Sequence, residues 1–314
     1  MGASDLVAGA KARSVDLGFA AGWGLVRALP QRAAASLFRR GADVGMRRNG
    51  SGVVQLRLNL RRVVGPAMPE AELDELVQQA LRSYARYWME TFRLPSMDEH
   101  DVLARMRSEG DEHIDRAAAD GNGFILALPH SGNWDVSGIW LIARGHPFTT
   151  VAERLKPESL FKRFVEYREG LGMEIVPLHG GARTPTDILT ERLRQGRSVC
   201  LLGDRDLSAR GVTVDFFGEP ARFPPGPAML SAMTGAALIP ICAYYCEDGW
   251  RHSIGAPIEL GEGRLRERVQ AGTQALADVF AEQIARHPAD WHMLQKMWVG
   301  DEPRRPSAGA EVRS

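Results

Sequence analysis

The spacing of apolar residues changes near residue 121. Before that point apolar side chains recur at helical spacing, and the pattern predicts helices over residues 5–29, 31–48, 51–63, 70–94 and, in a more charged stretch, 97–120. After the turn Gly121-Asn122-Gly123, short apolar runs alternate with helical patterns. The chain therefore begins with a helical region and continues as a region of alternating strands and helices.

The second region contains candidate strands at 123–128, 148–153, 173–178, 198–203, 212–217, 237–245 and 252–259. Helices are predicted at 134–144, 157–171, 184–196, 225–235 and 264–287, with a short one near 291–298. This alternation predicts an α/β fold, in which helices cover both faces of a mainly parallel or mixed sheet. Residues 301–314 are polar and rich in proline and charge, and are expected to be disordered.

Positive charge is concentrated at the start of a chain that is neutral overall. Residues 1–65 contain eleven Lys or Arg and three Asp or Glu, an excess of eight positive charges. Anionic surfaces are the usual partners of such a segment. Apolar residues beside arginines are typical of a helix that lies in a membrane interface. An amphipathic hairpin packed on the rest of the fold would give the same pattern, so both interpretations remain open.

Composition and motif searches exclude several classes of protein. The three cysteines, Cys200, Cys242 and Cys246, are too few for a disulfide framework or a zinc site, which favours a reducing compartment. No secretory signal is expected, and the apolar stretch 17–26 is too short to span a membrane. The chain has no phosphate-binding loop, dinucleotide fingerprint, metal-ligand set or recognised nucleic-acid motif.

The segment Pro129-His130-Ser131-Gly132-Asn133-Trp134-Asp135 is the first candidate for chemistry. It joins a predicted strand to a predicted helix, where His130 could accept a proton and a nearby carboxylate could fix its tautomer. In the alternative interpretation His130 bonds to backbone and Asp135 caps the helix, since a spacing of five is not a same-face helical pair. Ser131 lacks the Gly-x-Ser-x-Gly context of a serine hydrolase.

Two further clusters follow strands. Asp204-Arg205-Asp206 is either a solvated turn or a site at which Asp204 acts beside His130 and Arg205 and Asp206 contact substrate. The segment 216–227 is aromatic and rich in proline, and would either wall an apolar slot or contribute to packing. His130, Glu153 and Asp204 all fall at the predicted carboxyl ends of strands, where α/β sheets bind their ligands.

These residues resemble the lysophospholipid acyltransferase superfamily, whose signature is His-x4-Asp, and more closely the bacterial lipid A biosynthesis acyltransferase family. The resemblance covers nearly the whole chain and rests on an ordered set of segments. They are Tyr84-Ala85-Arg86-Tyr87-Trp88-Met89-Glu90, Pro129 to Asp135, Asp204-Arg205-Asp206, Phe216-Phe217-Gly218 and Pro288-Ala289-Asp290-Trp291. Within that family the sequence is similar to actinobacterial members that acylate phosphatidylinositol mannosides.

The resemblance implies transfer of a palmitoyl group from acyl-CoA, as co-substrate, to a mannose hydroxyl of a phosphatidylinositol mannoside. The reaction would occur at the anionic inner face of the plasma membrane, with no cofactor, metal or nucleic acid. The expected domain is a single acyltransferase domain over residues 1–300, with a basic, membrane-facing helical part at 1–95 and a catalytic core at 121–300. Another glycolipid or lysophospholipid acceptor, a lipid-binding protein without turnover and a hydrolase are the alternatives.

The resemblance also implies roles for individual residues. His130 would be the general base and Asp135 would orient the motif. Asp204 would be the second acidic residue near the histidine, with Asp206 and Glu219 as rivals. Glu153 and Arg168 would bind polar groups of the substrate.

Overall fold

The computed structural model describes residues 22–153, 158–206 and 211–301. The predicted helical residues 5–21 and residues 302–314 of the predicted tail lie outside this range. Asp301, which was predicted to belong to that tail, instead ends a short helical turn and pairs with Arg62 at 2.8 Å. The α-helices in the described part are α1 (22–28), α2 (Gln31–Arg48), α3 (Ser51–Val64), α4 (Glu70–Arg93), α5 (Glu99–Arg105), α6 (Asp111–Ala119), α7 (Trp134–Ala143), α8 (Glu158–Gly170), α9 (Pro185–Arg194), α10 (Gly226–Thr234) and α11 (Leu265–Arg286). None of them is long and apolar enough to cross a membrane.

Seven strands form one sheet in the order β1-β9-β8-β2-β5-β3-β4, and β6 and β7 form a separate hairpin. The strands are β1 (Met106–Glu109), β2 (Phe124–Leu128), β3 (Phe148–Ala152), β4 (Glu174–Pro177), β5 (Ser198–Leu202), β6 (Val212–Phe216), β7 (Glu219–Phe223), β8 (Ala237–Cys246) and β9 (Gly249–Ile254). The five strands from β8 to β4 run parallel, whereas β9 is antiparallel to β8. The α/β fold prediction is confirmed.

The side chains of β2 show how the sheet separates two hydrophobic cores. Ile125 and Ala127 point to the face covered by α9, α10 and α11. Phe124, Leu126 and Leu128 point to the opposite face, covered by α6, α7 and α8. All five residues are buried because helices cover both faces of a mainly parallel sheet, so this strand is apolar throughout rather than alternating.

The N-terminal helices form a third core beside the sheet. Leu56, Leu60, Leu73 and Val77 are at most 1% exposed and pack α3 against α4. Helix α2 packs across α4, where Arg82 donates to Asp43 at 2.8 Å. The bounds of α2 match the predicted helix 31–48, and those of α3 and α4 agree with prediction to within one residue.

Two strands were missing from the sequence-based prediction. Edge strand β1 interrupts the predicted helix 97–120. Its residues alternate between more buried and more exposed positions, and they pair with β9 on one side only. Strand β7 lies within the aromatic, proline-rich segment 216–227, for which no second strand was predicted. The two-residue turn between β6 and β7 places Phe217 at φ 54° and Gly218 at φ 76°, and Phe217 lacks the sequence signal of such a turn.

The segment near the end of the described chain is extended, so the short helix predicted near 291–298 is wrong. Its backbone groups bond to other parts of the fold instead of to each other. The amide of His292 donates to the carbonyl of His130 at 2.7 Å, and the carbonyl of Met297 accepts from Arg222 at 2.8 Å. Strand β9 also begins earlier than predicted, at Gly249, because a tight turn follows β8 directly.

Candidate active site

The loop after β2 has a fixed shape because several groups constrain it. Gly132 has φ 56°, and a Cβ there would lie 2.6 Å from the backbone of Ala243, so only glycine fits. Asn133 caps α7 by accepting from the amide of Val136 at 3.2 Å, and it donates to buried Glu90 at 2.8 Å. The helix cap that the sequence offered to Asp135 is therefore supplied by Asn133.

His130 and Asp204 meet at the carboxyl edge of the sheet. Leu128 and Leu202 are paired in the parallel ladder, and each is followed two residues later by one member of this pair. His130 Nδ1 lies 2.5 Å from Asp204 Oδ1, and the backbone N–H of His130 donates to Oδ2 at 2.9 Å. The sequence placed both residues at strand ends, and the adjacency of β2 and β5 brings the side chains into contact.

Asp204 is fully buried, whereas the His130 side chain is 20% exposed. Burial acts to raise the pKa of the Asp204 carboxyl. The charge of His130 and the hydrogen bonds from His130 and Trp291 outweigh burial and hold that pKa below its usual value. Trp291 donates its Nε1–H to Asp204 Oδ2 at 3.0 Å. The carboxylate is thus kept ionised, although it has no access to solvent.

The carboxyl of Asp135 makes an ion pair elsewhere. Its Oδ1 accepts from Arg168 Nε at 2.9 Å, and its Oδ2 accepts from Arg168 Nη2 and from the Tyr87 hydroxyl, both at 3.4 Å. Asp135 is 2% exposed and makes no hydrogen bond to His130. Burial would lower the pKa of Arg168, but the Asp135 charge raises it above its ordinary value. The aspartate of His-x4-Asp therefore links α7 to α8 through Arg168 and to α4 through Tyr87.

Two cavities open on either side of His130. The first, about 210 Å³, is here called the aromatic lobe, and its rings are those of Tyr84, Tyr87, Trp88, Phe161, Phe164 and His292. The second, about 430 Å³, is called the proline lobe, and its walls include Leu178, Leu189, Pro224, Pro225, Met229 and Leu230. Six residues line both lobes: His130, Trp134, Ala152, Glu153, Arg168 and Arg205. A ligand in either lobe would reach the imidazole of His130.

The remaining predicted site residues lie at different distances from this junction. Glu153 is exposed at the end of β3, and Arg205 is half-buried with no hydrogen bond or ion pair to any described residue. Asp206 lines the proline lobe, and its Oδ2 accepts from the amide of Gly211 at 2.7 Å. Glu219 lies on β7, where it accepts from Arg62 at 3.0 Å, and it does not line either lobe.

Other candidate chemistries gain no support from the geometry. The Ser131 hydroxyl is buried and has no hydrogen-bond partner among the described residues, so no base activates it there. Burial raises the pKa of the Cys200 and Cys242 thiols, which keeps them protonated and unreactive. Within the described ranges no group of three or more His, Cys, Asp or Glu side chains is placed to hold a metal ion.

Two features of the site were not assigned from the sequence. Trp291 belongs to a segment that carried the resemblance but had no role, and its hydrogen bond to Asp204 depends on the extended path of the terminal segment. The second feature is on α4, for which the sequence predicted only a helix. Three of its rings, those of Tyr84, Tyr87 and Trp88, line the aromatic lobe, and their helical spacing is equally typical of core residues.

The chain is similar to one protein family and to several known proteins. The family model described as bacterial lipid A biosynthesis acyltransferase matches residues 13–299. The phosphatidylinositol mannoside acyltransferase of Mycolicibacterium smegmatis is 52% identical over 297 residues, covering 94% of this chain and 95% of that protein. The Mycobacterium tuberculosis enzyme of the same name is 51% identical over 306 residues, covering 96% and 93%. A lipid A biosynthesis acyltransferase of Haemophilus influenzae is 24% identical over 181 residues, covering 57% and 56%.

Proposed function

Because this chain belongs to the bacterial lipid A biosynthesis acyltransferase family, we propose that it transfers a palmitoyl group from acyl-CoA to a mannose hydroxyl of a phosphatidylinositol mannoside. The acceptor is inferred from relatives that bear this name and match over nearly the whole of both chains. The observation that carries the chemistry is the His130–Asp204 pair at the junction of the two lobes.

His130 acts as the general base in this proposal. Asp204 is ionised and can only accept, so His130 Nδ1 carries the proton and Nε2 carries the lone pair. Nε2 makes no hydrogen bond to a described residue, and the ring lines both lobes. It can therefore accept the proton of a substrate hydroxyl while Asp204 stabilises the imidazolium that forms.

The reaction then proceeds in two steps. The hydroxyl oxygen attacks the thioester carbonyl carbon as its proton passes to His130 Nε2, which gives a tetrahedral oxyanion. The oxyanion collapses, the carbon–sulfur bond breaks, and the leaving CoA sulfur takes the proton from the imidazolium. Ester, free thiol and neutral imidazole result, without a covalent enzyme intermediate.

Arg205 is the candidate that stabilises the oxyanion or a phosphate of the substrate. It lines both lobes beside His130 and has no carboxylate partner in the described part of the chain. A guanidinium without an internal partner can form charge-assisted hydrogen bonds to a developing negative charge. Arg168 cannot serve in the same way without leaving Asp135.

The two lobes suit the two substrates differently. The proline lobe is the larger and its walls are mostly aliphatic, so it is assigned to the acyl chain, for which each buried methylene contributes about 0.8 kcal/mol. The aromatic lobe combines ring faces with the polar groups of Tyr84 and Gln295, which do not line the proline lobe, so it is assigned to the sugar. Met229→Trp should then raise KM for palmitoyl-CoA, and Trp88→Ala should raise KM for the acceptor. The reverse pattern would exchange the assignments.

The N-terminal helices are proposed to bind the anionic cytoplasmic face of the plasma membrane. Leu25 and Leu37 are 59% and 51% exposed, and Val44 is also exposed near Arg40 and Arg48. The opposite side of α2 packs on α4, so the helix can contribute to the fold and still present an apolar, basic surface. Binding of the protein to anionic vesicles should weaken as salt rises, and it should weaken in the double variant Arg40→Glu with Arg48→Glu. Binding that changes in neither experiment would contradict the proposed membrane surface.

An acyl-transfer assay tests the proposed function. Purified protein is incubated with palmitoyl-CoA and a phosphatidylinositol mannoside, and mass spectrometry follows the acceptor. The expected product is heavier by one palmitoyl ester and appears together with free CoA. Equal release of CoA without acceptor would identify a hydrolase, and stable lipid binding without product would identify a carrier. A panel of glycolipids and lysophospholipids separates the acceptor classes.

A further inference from the structure

Three consecutive residues, Asp290, Trp291 and His292, bond to the loop and the carboxylate that form the His130–Asp204 pair. They are called the strap here. The backbone carbonyl of Asp290 accepts from the amide of Gly132 at 2.9 Å, and the amide of His292 donates to the carbonyl of His130 at 2.7 Å. Between them, the indole of Trp291 donates to Asp204 Oδ2 at 3.0 Å. The strap thus holds both members of the pair.

Trp291 donates to the oxygen of Asp204 that does not face the imidazole. Oδ2 accepts two N–H groups, the backbone amide of His130 and the indole of Trp291. Oδ1 is left for His130 Nδ1. Trp291 itself is fully buried and packs edge-on against Phe216 and Trp298, at ring-centroid distances of 6.0 and 6.2 Å, so the indole cannot turn away without disturbing the core.

We propose that Trp291 is a positioning residue for acyl transfer, which holds the Asp204 carboxylate in the orientation that His130 requires. The inference rests on the proposed function, because it concerns the same pair in the same reaction. Trp291 does not line either lobe, so its effect on the reaction must pass through Asp204.

The strap is itself anchored on both sides. Asp290 Oδ1 accepts from the Ser83 hydroxyl of α4 at 2.7 Å, and its Oδ2 accepts from the amide of Tyr245 in β8 at 2.9 Å. Since Ser83 donates to Asp290, the 2.9 Å contact between Ser83 and His292 Nε2 requires the imidazole to donate. His292 then remains neutral, with a pKa that burial and His130 lower to about 3. The strap is therefore held by hydrogen bonds to α4 and β8, and His292 adds no positive charge beside His130 at neutral pH.

Loss of the indole N–H would leave Asp204 Oδ2 with one donor in a fully buried position. The pKa of the Asp204 carboxyl would rise because one hydrogen bond that favours its ionised form is gone. Two titratable groups packed near the pair are uncharged: burial lowers the pKa of His292, and burial together with the Asp204 charge raises that of Cys242. The charged side chains that share the junction of the lobes with His130, those of Glu153, Arg168 and Arg205, are not changed by loss of the indole. The protonated, inactive form of the pair would then persist to higher pH.

Trp291→Phe tests this role, and Trp298→Phe is its matched control. Both tryptophans are buried and both donate one indole N–H, but Trp298 donates to the carbonyl of Phe216 at 3.1 Å instead of to Asp204. For Trp291→Phe, kcat should fall by about tenfold to a hundredfold at unchanged KM, and the acidic limb of kcat/KM should move to higher pH. Trp298→Phe should lower the unfolding temperature without moving that limb.

A proton NMR spectrum gives a readout that needs no substrate. The hydrogen bond between His130 and Asp204 should give a strongly downfield Nδ1–H resonance that broadens or shifts in Trp291→Phe and stays in place in Trp298→Phe. Equal behaviour of the two variants in the pH profile and in the spectrum would overturn the positioning role. Absence of acyl transfer by the unmodified protein would overturn the proposed function instead, and the spectra would still decide the role of Trp291.

Discussion

Two side-chain pairs begin near the start of helix α7, one at His130 in the loop before it and one at Asp135 in its first turn, and they serve the site in different ways. His130 contacts Asp204, and its Nε2 lies at the junction of the lobes without a hydrogen bond to any described residue. Asp135 contacts Arg168, and both of its oxygens accept hydrogen bonds from described side chains. In the first pair, His130 Nε2 can still accept a proton. In the second pair, both carboxylate oxygens of Asp135 are already used. The two residues that define His-x4-Asp therefore belong to separate pairs.

The comparison shows that spacing along the chain is a poor guide to partnership at the end of a strand. His130 and Asp135 are five residues apart, but the helix that begins at Trp134 points Asp135 toward α8. His130 and Asp204 are 74 residues apart and become neighbours because β2 and β5 are adjacent and in register. A carboxylate near a catalytic histidine in sequence can thus have a structural role, and the acting partner can come from another strand.

The largest effect is expected at His130, the only member of either pair that would touch the reacting hydroxyl. His130→Ala should lower kcat/KM by about a thousandfold, since general-base catalysis typically contributes between about 10² and 10⁴. His130→Asn is the sharper variant, because its side-chain amide can still donate to Asp204 while Nε2 is absent. Steady-state acyl-transfer rates would measure both. Full transfer by His130→Asn would exclude the general-base role.

The next effect is expected at Asp204. Asp204→Asn keeps the size of the side chain but removes the charge that favours the imidazolium, and its amide cannot accept at both positions. We expect a fall in kcat of about a hundredfold or more, with a smaller change in KM, because the interaction strengthens in the transition state. Rates corrected for the folded fraction would check this. An unchanged kcat would mean that His130 acts without this carboxylate.

Asp135→Asn should affect stability more than chemistry. Removing one partner of a buried ion pair leaves Arg168 uncompensated, which costs about 3–5 kcal/mol of unfolding free energy. Urea denaturation would measure this loss, with Asp43→Asn as a control at the more exposed Asp43–Arg82 pair, where solvent screens the interaction and the loss should be much smaller. The folded fraction of Asp135→Asn should lose less kcat than Asp204→Asn. Equal kinetic losses at unchanged stability would remove the distinction between the pairs.

The smallest effect is the pH dependence of the unfolding free energy that comes from two buried histidines outside the two pairs, His252 and His292. Burial lowers the pKa of His252 to about 4 and that of His292, with help from His130, to about 3, from an ordinary value of 6.5. Because both are neutral when folded and bind protons when unfolded below pH 6.5, stability is complete above that pH and declines below it. Each histidine contributes a slope of up to roughly 1.4 kcal/mol per pH unit.

Denaturation curves at pH 7, 6 and 5 would measure that slope. His252→Asn and His292→Asn should each remove the contribution of one titrating histidine, up to roughly 1.4 kcal/mol per pH unit, from that slope. This holds whatever each substitution does to stability at pH 7. Asp204→Asn should leave the slope between pH 6.5 and 5 nearly unchanged, since the pKa of that carboxyl lies lower. A slope that disappears in Asp204→Asn but persists in both histidine variants would contradict this explanation.

Local patterns predict the fold class because short apolar runs alternate with stretches of helical spacing, with turn residues between them. They also placed His130, Glu153 and Asp204 at strand ends. The order of strands in the sheet is a long-range property, so the pairing of β2 with β5 was not available from the sequence. Asp204 was chosen as the partner of His130 through a resemblance, with two rivals that the geometry places elsewhere.

Other features of the site depend on contacts that leave no local pattern. Trp291 bonds to Asp204 only because the terminal segment is extended, whereas its composition suggested a helix. Arg168 was proposed for substrate binding from the resemblance, but its guanidinium is already occupied by Asp135. In both cases the determining partner lies more than thirty residues away, at distances that periodicity does not encode.

The identity of the carboxylate that contacts His130 can be measured directly by proton NMR of the imidazole. The unmodified protein should show a strongly downfield Nδ1–H resonance, which His130→Gln assigns by removing it. Asp135→Asn should retain this resonance, and Asp204→Asn should lose it. Loss of the resonance in Asp135→Asn with retention in Asp204→Asn would contradict the pairing of His130 with Asp204.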